Sequence, residues 1–203
     1  MKDFRYANRG SALESFIEYA NNSYKRKGIA VIEKQYVEML PIRDGRGKVV
    51  ACKVGEKSTV DYLGRIGNIP IAIEAKNTNE GSIRFDRIQQ HQAQFLDDFT
   101  RDGAGLGFVL LSFNFKKFFL VPWNPFWQGA YNARVRPGAS RTTPVSISAF
   151  GTTWDIPKKN SVRIDEIPAE FEVSGNDHTF GLHYLAKAEH YIMPSKQPKN
   201  QIK

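Results

Sequence analysis

Asp61 and the tripeptide Glu74-Ala75-Lys76 constrain this chain more than any other feature. Ser58-Thr59-Val60-Asp61-Tyr62 reads as one strand and Ile69-Pro70-Ile71-Ala72-Ile73-Glu74-Ala75-Lys76 as the next, joined through a Gly64-Arg65-Ile66-Gly67-Asn68 turn. Strand side chains alternate between faces, so Ala72, Glu74 and Lys76 share one side and Ile71, Ile73 and Ala75 the other. If the apolar side packs, the Glu and Lys protrude together. Two carboxylates on neighbouring strands can hold a hard divalent cation, and a lysine beside them can steady the charge that grows on a phosphorus under attack. On spacing alone, a solvated acidic hairpin face fits the same residues. A Lys76–Glu74 pair on such a face would stabilise by only about 0–1 kcal/mol, which gives it little structural purpose.

The rest of the chain supports a globular reading. Its 203 residues suffice for one domain with a sizeable core, taken here as residues 1–203, and 41% hydrophobic content with 12% aromatics suits an α/β protein. Lys and Arg number 29 against 21 Asp and Glu, a basic excess that favours a polyanionic partner such as nucleic acid. The single Cys52 excludes an internal disulfide framework and a cysteine-based zinc site, so a reducing cytosol is expected. No stretch approaches the roughly 20 apolar residues of a membrane span, which implies a soluble chain with no membrane partner.

Helical spacing of Leu13, Phe16, Ile17, Ala20 and Tyr24 predicts a helix over 11–27, ended by Gly28, and Ile29-Ala30-Val31-Ile32 reads as a buried strand. Residues 35–57 predict a projecting hairpin arm, with strands at 36–39 and 49–54 around an Asp44-Gly45 turn. A second helix is expected from about Asp86, with Ile88, Phe95, Leu96 and Phe99 as its stripe. Gln92 falls on that stripe, where a polar side chain needs a partner. Leu106–Ser112 and Lys117–Val121 read as further strands. Alternation of helix and strand then predicts an α/β core with a mixed sheet. Residues 131–203 show only weak patterning, apart from a short closing helix expected over 179–192.

Several tempting features have plainer readings. Gly103-Ala104-Gly105 precedes a strand and is a turn, not a phosphate cradle. His178, His183 and His190 match no helix-face metal pair and read as surface residues. Ser11 and Glu14 form a capping-box pattern, Gln92 could bond a backbone carbonyl, and Thr59 could be simply a β-former.

The motifs Asn8-Arg9-Gly10 with Leu13-Glu14, Gly28–Ile32, Ser58–Tyr62, Glu74-Ala75-Lys76 and His91-Gln92 stand in an order that resembles the RecU-type Holliday junction resolvases of Gram-positive bacteria and their phages. The likeness runs from about Asn8 to Trp127. It implies a restriction-endonuclease-like core, in which a mixed β-sheet is flanked by helices and carries a projecting β-hairpin stalk. It also implies a cytoplasmic homodimer that uses Mg²⁺, with Mn²⁺ as a substitute, to nick two strands of a four-way DNA junction symmetrically. By the same resemblance Thr59, Asp61, Glu74 and Gln92 surround the metal, Lys76 stabilises the transition state, and Glu14 is an outer catalytic member. Arg9, with Arg43, Arg46 and Lys48 at the arm tip, is expected to contact DNA; a basic hairpin beside a nuclease centre is a natural phosphate contact. The arm is slightly shorter than that family's stalk, and the last third of the chain resembles the family little.

Overall fold

A computed structural model describes residues 4–55, 59–140, 142–175 and 177–192, except for the side chains of residues 4–11, 189, 190 and 192. The chain runs through α1 (Phe4–Arg26), β1 (Ala30–Lys34), the ribbon β2 (Met39–Arg43) and β3 (Val49–Val54), β4 (Tyr62–Ile66), β5 (Ile69–Thr78) and β6 (Ser82–Arg84). It continues with α2 (Gln90–Phe99), β7 (Leu106–Phe113), β8 (Lys117–Pro122), α3 (Gln128–Arg134), β9 (Val145–Ala149), β10 (Thr152–Ile156), β11 (Ser161–Arg163), β12 (Glu172–Val173) and α4 (Leu185–Ile192).

Six strands form the main sheet in the order β1-β4-β5-β7-β8-β12. The β5–β7 pair is parallel and its neighbours are antiparallel, so the sheet is mixed and helices flank it, as expected. Parallel pairing forces a crossover, which α2 supplies. Both faces are covered. Ile71, Ile73, Phe108 and Leu110 pack against Leu13, Ile17 and Tyr24 of α1 and Leu185 and Ala188 of α4. Ala72, Val109, Leu111 and Val121 pack against Ala93 and Leu96 of α2, Ala130 of α3 and Trp154 of the β9–β10 hairpin. The sheet can bring its strands this close because Gly64 on β4 lacks a side chain; a Cβ there would lie 2.0 Å from the Val31 carbonyl oxygen.

Several expectations need correction. The chain around Thr59, Val60 and Asp61 is a bend, and β4 begins only at Tyr62. The bend is fixed from outside: the Gln35 N–H donates to the Asp61 carbonyl at 2.7 Å. Helix α1 starts at Phe4, so Ser11 and Glu14 lie inside it and the capping-box reading fails. Residues 85–87 form a separate 3-10 turn, and α2 begins at Gln90 with Gln89 as its N-cap. In the ribbon the first strand is 39–43, not 36–39, so Pro41 sits within it; an isolated two-stranded ribbon tolerates the missing N–H. Asp44 shapes the tip, its Oδ1 accepting from the N–H groups of Arg46 at 2.9 Å and Lys48 at 3.0 Å. The weakly patterned last third folds into β9–β12 and α4, the helix covering only the second half of 179–192.

Candidate active site

The β4–β5 register pairs Tyr62 with Ile73, so the next position places Asp61 opposite Glu74 on the same face. Asp61 is tied to the neighbouring strand, its Oδ2 accepting the Ala75 N–H at 2.8 Å. Glu74 does not protrude: its exposure is 0%, because α2 and the rest of that core close over the face that was expected to be open. Its Oε1 accepts hydrogen bonds from Lys76 Nζ and, at 2.7 Å, from Gln92 Nε2. Its Oε2 is buried with no hydrogen-bond partner.

Burial drives the Glu74 pKa up to about 7, and the nearby Asp61 carboxylate adds to the rise, against the opposing pull of Lys76. The result is a carboxyl poised between its two protonation states near neutrality. Gln92 is fixed at both ends, because its Oε1 accepts the Gln89 N–H at 3.0 Å while its Nε2 faces the carboxylate. Its partner is therefore Glu74 and its own helix start. In this arrangement it turns an amide N–H, not an oxygen, toward the acid pair.

The other expected site residues are not gathered here. Thr59 is exposed in the bend, two residues before Asp61. Glu14 stands on α1, which packs on the opposite face of the sheet, and accepts from Lys34 Nζ at 2.7 Å, with Glu18 3.7 Å from the same ammonium. Arg43, Arg46 and Lys48 sit at the tip of the fully exposed ribbon, with Arg43 donating to the Gly47 carbonyl at 2.8 Å. The Arg9 side chain lies outside the described residues. Among the described residues no three His, Cys, Asp or Glu side chains are grouped to hold a metal, so Asp61 and Glu74 form a pair of acids and no more. His183 is a packing residue, 3.1 Å from the Tyr24 hydroxyl and tilted against the Phe180 ring, while His178 is exposed; the His190 side chain is outside the described residues.

Sequence reasoning missed Arg87. It lies in the 3-10 turn before α2, and its guanidinium approaches the Asn77 carbonyl at 3.5 Å, one residue past Lys76. Arg84, Arg101, Arg136 and Arg163 are each paired with a carboxylate, whereas among the described residues Arg87 has none. Periodicity cannot find a residue in a turn; only the fold brings this cation back to the end of β5.

A family model described as Recombination protein U matches residues 8–142. The chain belongs to the RecU family. The match runs from α1 to just past α3 and so contains Asp61, Glu74, Lys76 and Gln92, while β9–β12 and α4 lie beyond it. Among curated relatives, Holliday junction resolvase RecU of Streptococcus mutans serotype c is 34% identical over 128 residues, 60% of this chain and 64% of the relative. The RecU of Streptococcus gordonii is 33% identical over 124 residues, 58% of this chain and 62% of the relative. The chain thus spans a little under two thirds of the length of these RecU relatives. Among solved structures, Archaeoglobus fulgidus Hjc, a Holliday junction resolvase from an archaeal hyperthermophile, matches at TM-score 0.30 and 18% identity, covering 47% of this chain and 66% of that one.

Proposed function

We propose that this RecU-family chain is a metal-dependent endonuclease that resolves four-way DNA junctions by paired nicks, acting as a homodimer on a restriction-endonuclease-like core. One observation carries the reading: a fully buried carboxylate, Glu74, has one oxygen held by Lys76 and Gln92 and the other left without a donor opposite Asp61. A buried acid with an orphaned oxygen is costly unless something else satisfies it. Oxygens of two acids suit a hard cation such as Mg²⁺, or Mn²⁺ in its place. Such an ion, when bound, supplies Lewis acidity and a water of lowered pKa.

The chain's own groups do the remaining work. Asp61 and Glu74 would hold the ion, with the Ala75 N–H orienting Asp61 and Gln92 orienting Glu74. Lys76 places an ammonium, 16% exposed, beside the same carboxylate, where it can oppose the charge that builds on the scissile phosphate. Arg87 would grip a neighbouring phosphate. Glu14, paired with Lys34, is left an outer role at most.

A labelled synthetic junction in Mg²⁺ tests the proposal. Asp61→Asn and Glu74→Gln should each reduce nicking by at least about a thousandfold, in the range that single catalytic groups command, while junction binding persists. Undiminished cutting by either variant removes the proposed centre. Competition with linear duplex and forked DNA reads out whether the substrate is the crossover or ordinary duplex.

A further inference from the structure

Gln92 reaches Glu74 from one side of α2, and Gln90 and Gln94 stand on nearly the opposite side of the same turn, at 3.6 residues per turn. There they form one rim of a groove of about 510 Å³, whose other wall is the end of α3 and the residues after it. Tyr131, Val135 and Pro137 give the groove an apolar floor, and Arg136 closes its far rim. Its charges are already matched: Arg136 bonds Asp97, and Asp86 accepts from Arg84 and, at 2.9 Å, from Asn160. A cleft in the range of about 300–1,000 Å³ with an apolar floor, a few amides and balanced charge suits a flat, hydrogen-bonding heterocycle better than a phosphate.

We propose that this groove takes a nucleobase of the strand being cut and thereby sets which sequence is nicked; the inference rests on the endonuclease reading above. A glutamine amide pairs bidentately with the N6/N7 edge of adenine and can exchange donor and acceptor with other base edges. Gln94 donates to Asp98 at 3.1 Å through its Nε2, which leaves its carbonyl oxygen to accept from a base. The groove and the acid pair lie on two sides of one helix, whose diameter with side chains is about 10–12 Å, so the base taken would lie a few nucleotides from the phosphate that is cut. At the point of strand exchange an open junction interrupts continuous duplex stacking, which lowers the cost of unstacking a base so that it can enter such a slot.

Junctions carrying 2-aminopurine as the immediate neighbour of each successive crossover base, so that the base under test keeps its own edge, test this in EDTA, where binding is read without cutting. Saturating wild-type protein should brighten one position, and Gln90→Ala/Gln94→Ala should remove that brightening at equal occupancy. If no position brightens, or if the variant brightens it equally, the inference is overturned. In parallel, a junction library with randomised crossover bases is cut in Mg²⁺ and normalised to total nicking. The ratio of most to least favoured base should fall at least about fivefold in the double variant, and an unchanged ratio also overturns it. Brightening without any wild-type nicking would instead count against the endonuclease reading, leaving the groove a base-binding slot with no part in choosing a cleavage sequence.

Discussion

Glu74 is pulled in two directions, toward its proton by burial and by Asp61, and away from it by Lys76. Its folded pKa, about 7, lies above the ordinary glutamate value of about 4.3. The folded state therefore binds this proton more tightly than the unfolded chain does. The stability so gained is complete below about pH 4 and is lost as pH rises through about 7. With no divalent ion present, the protein should melt lower at pH 8 than at pH 5, by an amount on the order of 3 kcal/mol or roughly 6–12 °C. Glu74→Gln should abolish that fall, and Mg²⁺ should reverse it in the wild type only. A melting curve that is equally flat for both proteins would show that the carboxylate is not strained by burial. The sequence identified this residue and its alternation with Ile73 and Ala75. It gave no warning of the burial, because the face-covering contacts come from α2 and the C-terminal hairpin, far along the chain.

At the scale of elements, the ribbon β2–β3 and helix α2 contrast in how they were legible. The Asp-Gly pair and the flanking apolar residues marked the ribbon, since a tight turn is a local property. Its second strand lies at 49–54 as expected, but the first was placed several residues early, because no core fixes the register: every residue of both strands is exposed, Met39, Ile42, Val50 and Val54 included. An element that buries so little contributes little to stability. Replacing Arg43, Arg46 and Lys48 together by alanine should leave the melting temperature unchanged while junction affinity falls. The slope of log affinity against log salt should shrink by roughly two to three, about one for each lost phosphate contact. An unaltered salt slope would place the tip away from DNA. For α2, the polar Gln92 on an apolar stripe signalled a partner, and Glu74 is that partner; the helix start at Gln90 was missed because glutamine is not a usual N-cap, although Gln89 and Gln92 close a capping box.

Across the whole molecule, the segment least readable in sequence is the one that seals the fold. Arg134, with no exposure at all, donates to the carbonyls of Pro157 at 2.7 Å and Thr143 at 3.0 Å, locking α3 to the β9–β10 hairpin. On the other face Leu182, Tyr184, Leu185 and Ala188 fill the space between α1 and the sheet, and the Tyr24 hydroxyl accepts the Leu185 N–H at 3.2 Å. Large buried side chains contribute about 1.5–3 kcal/mol each, against a total stability of about 5–15 kcal/mol. A chain ended after Ser174 should therefore fail to fold cooperatively or melt far below the full chain, as thermal denaturation followed by circular dichroism would show. Retention of the full-length melting temperature would mean that the last segment is an appendage.

The order of short motifs was enough to predict the α/β class, the mixed sheet, the projecting hairpin and the family, because each rests on local periodicity, turn chemistry or spacing along the chain. Packing alone decided that Glu74 is buried, that Gln92 and Lys76 meet it on a single oxygen, that Glu14 belongs to Lys34 on the other face and that Arg87 returns to the end of β5. Those facts depend on contacts between residues far apart in sequence, and the free energy of burying a charge has no value until the surrounding elements are in place.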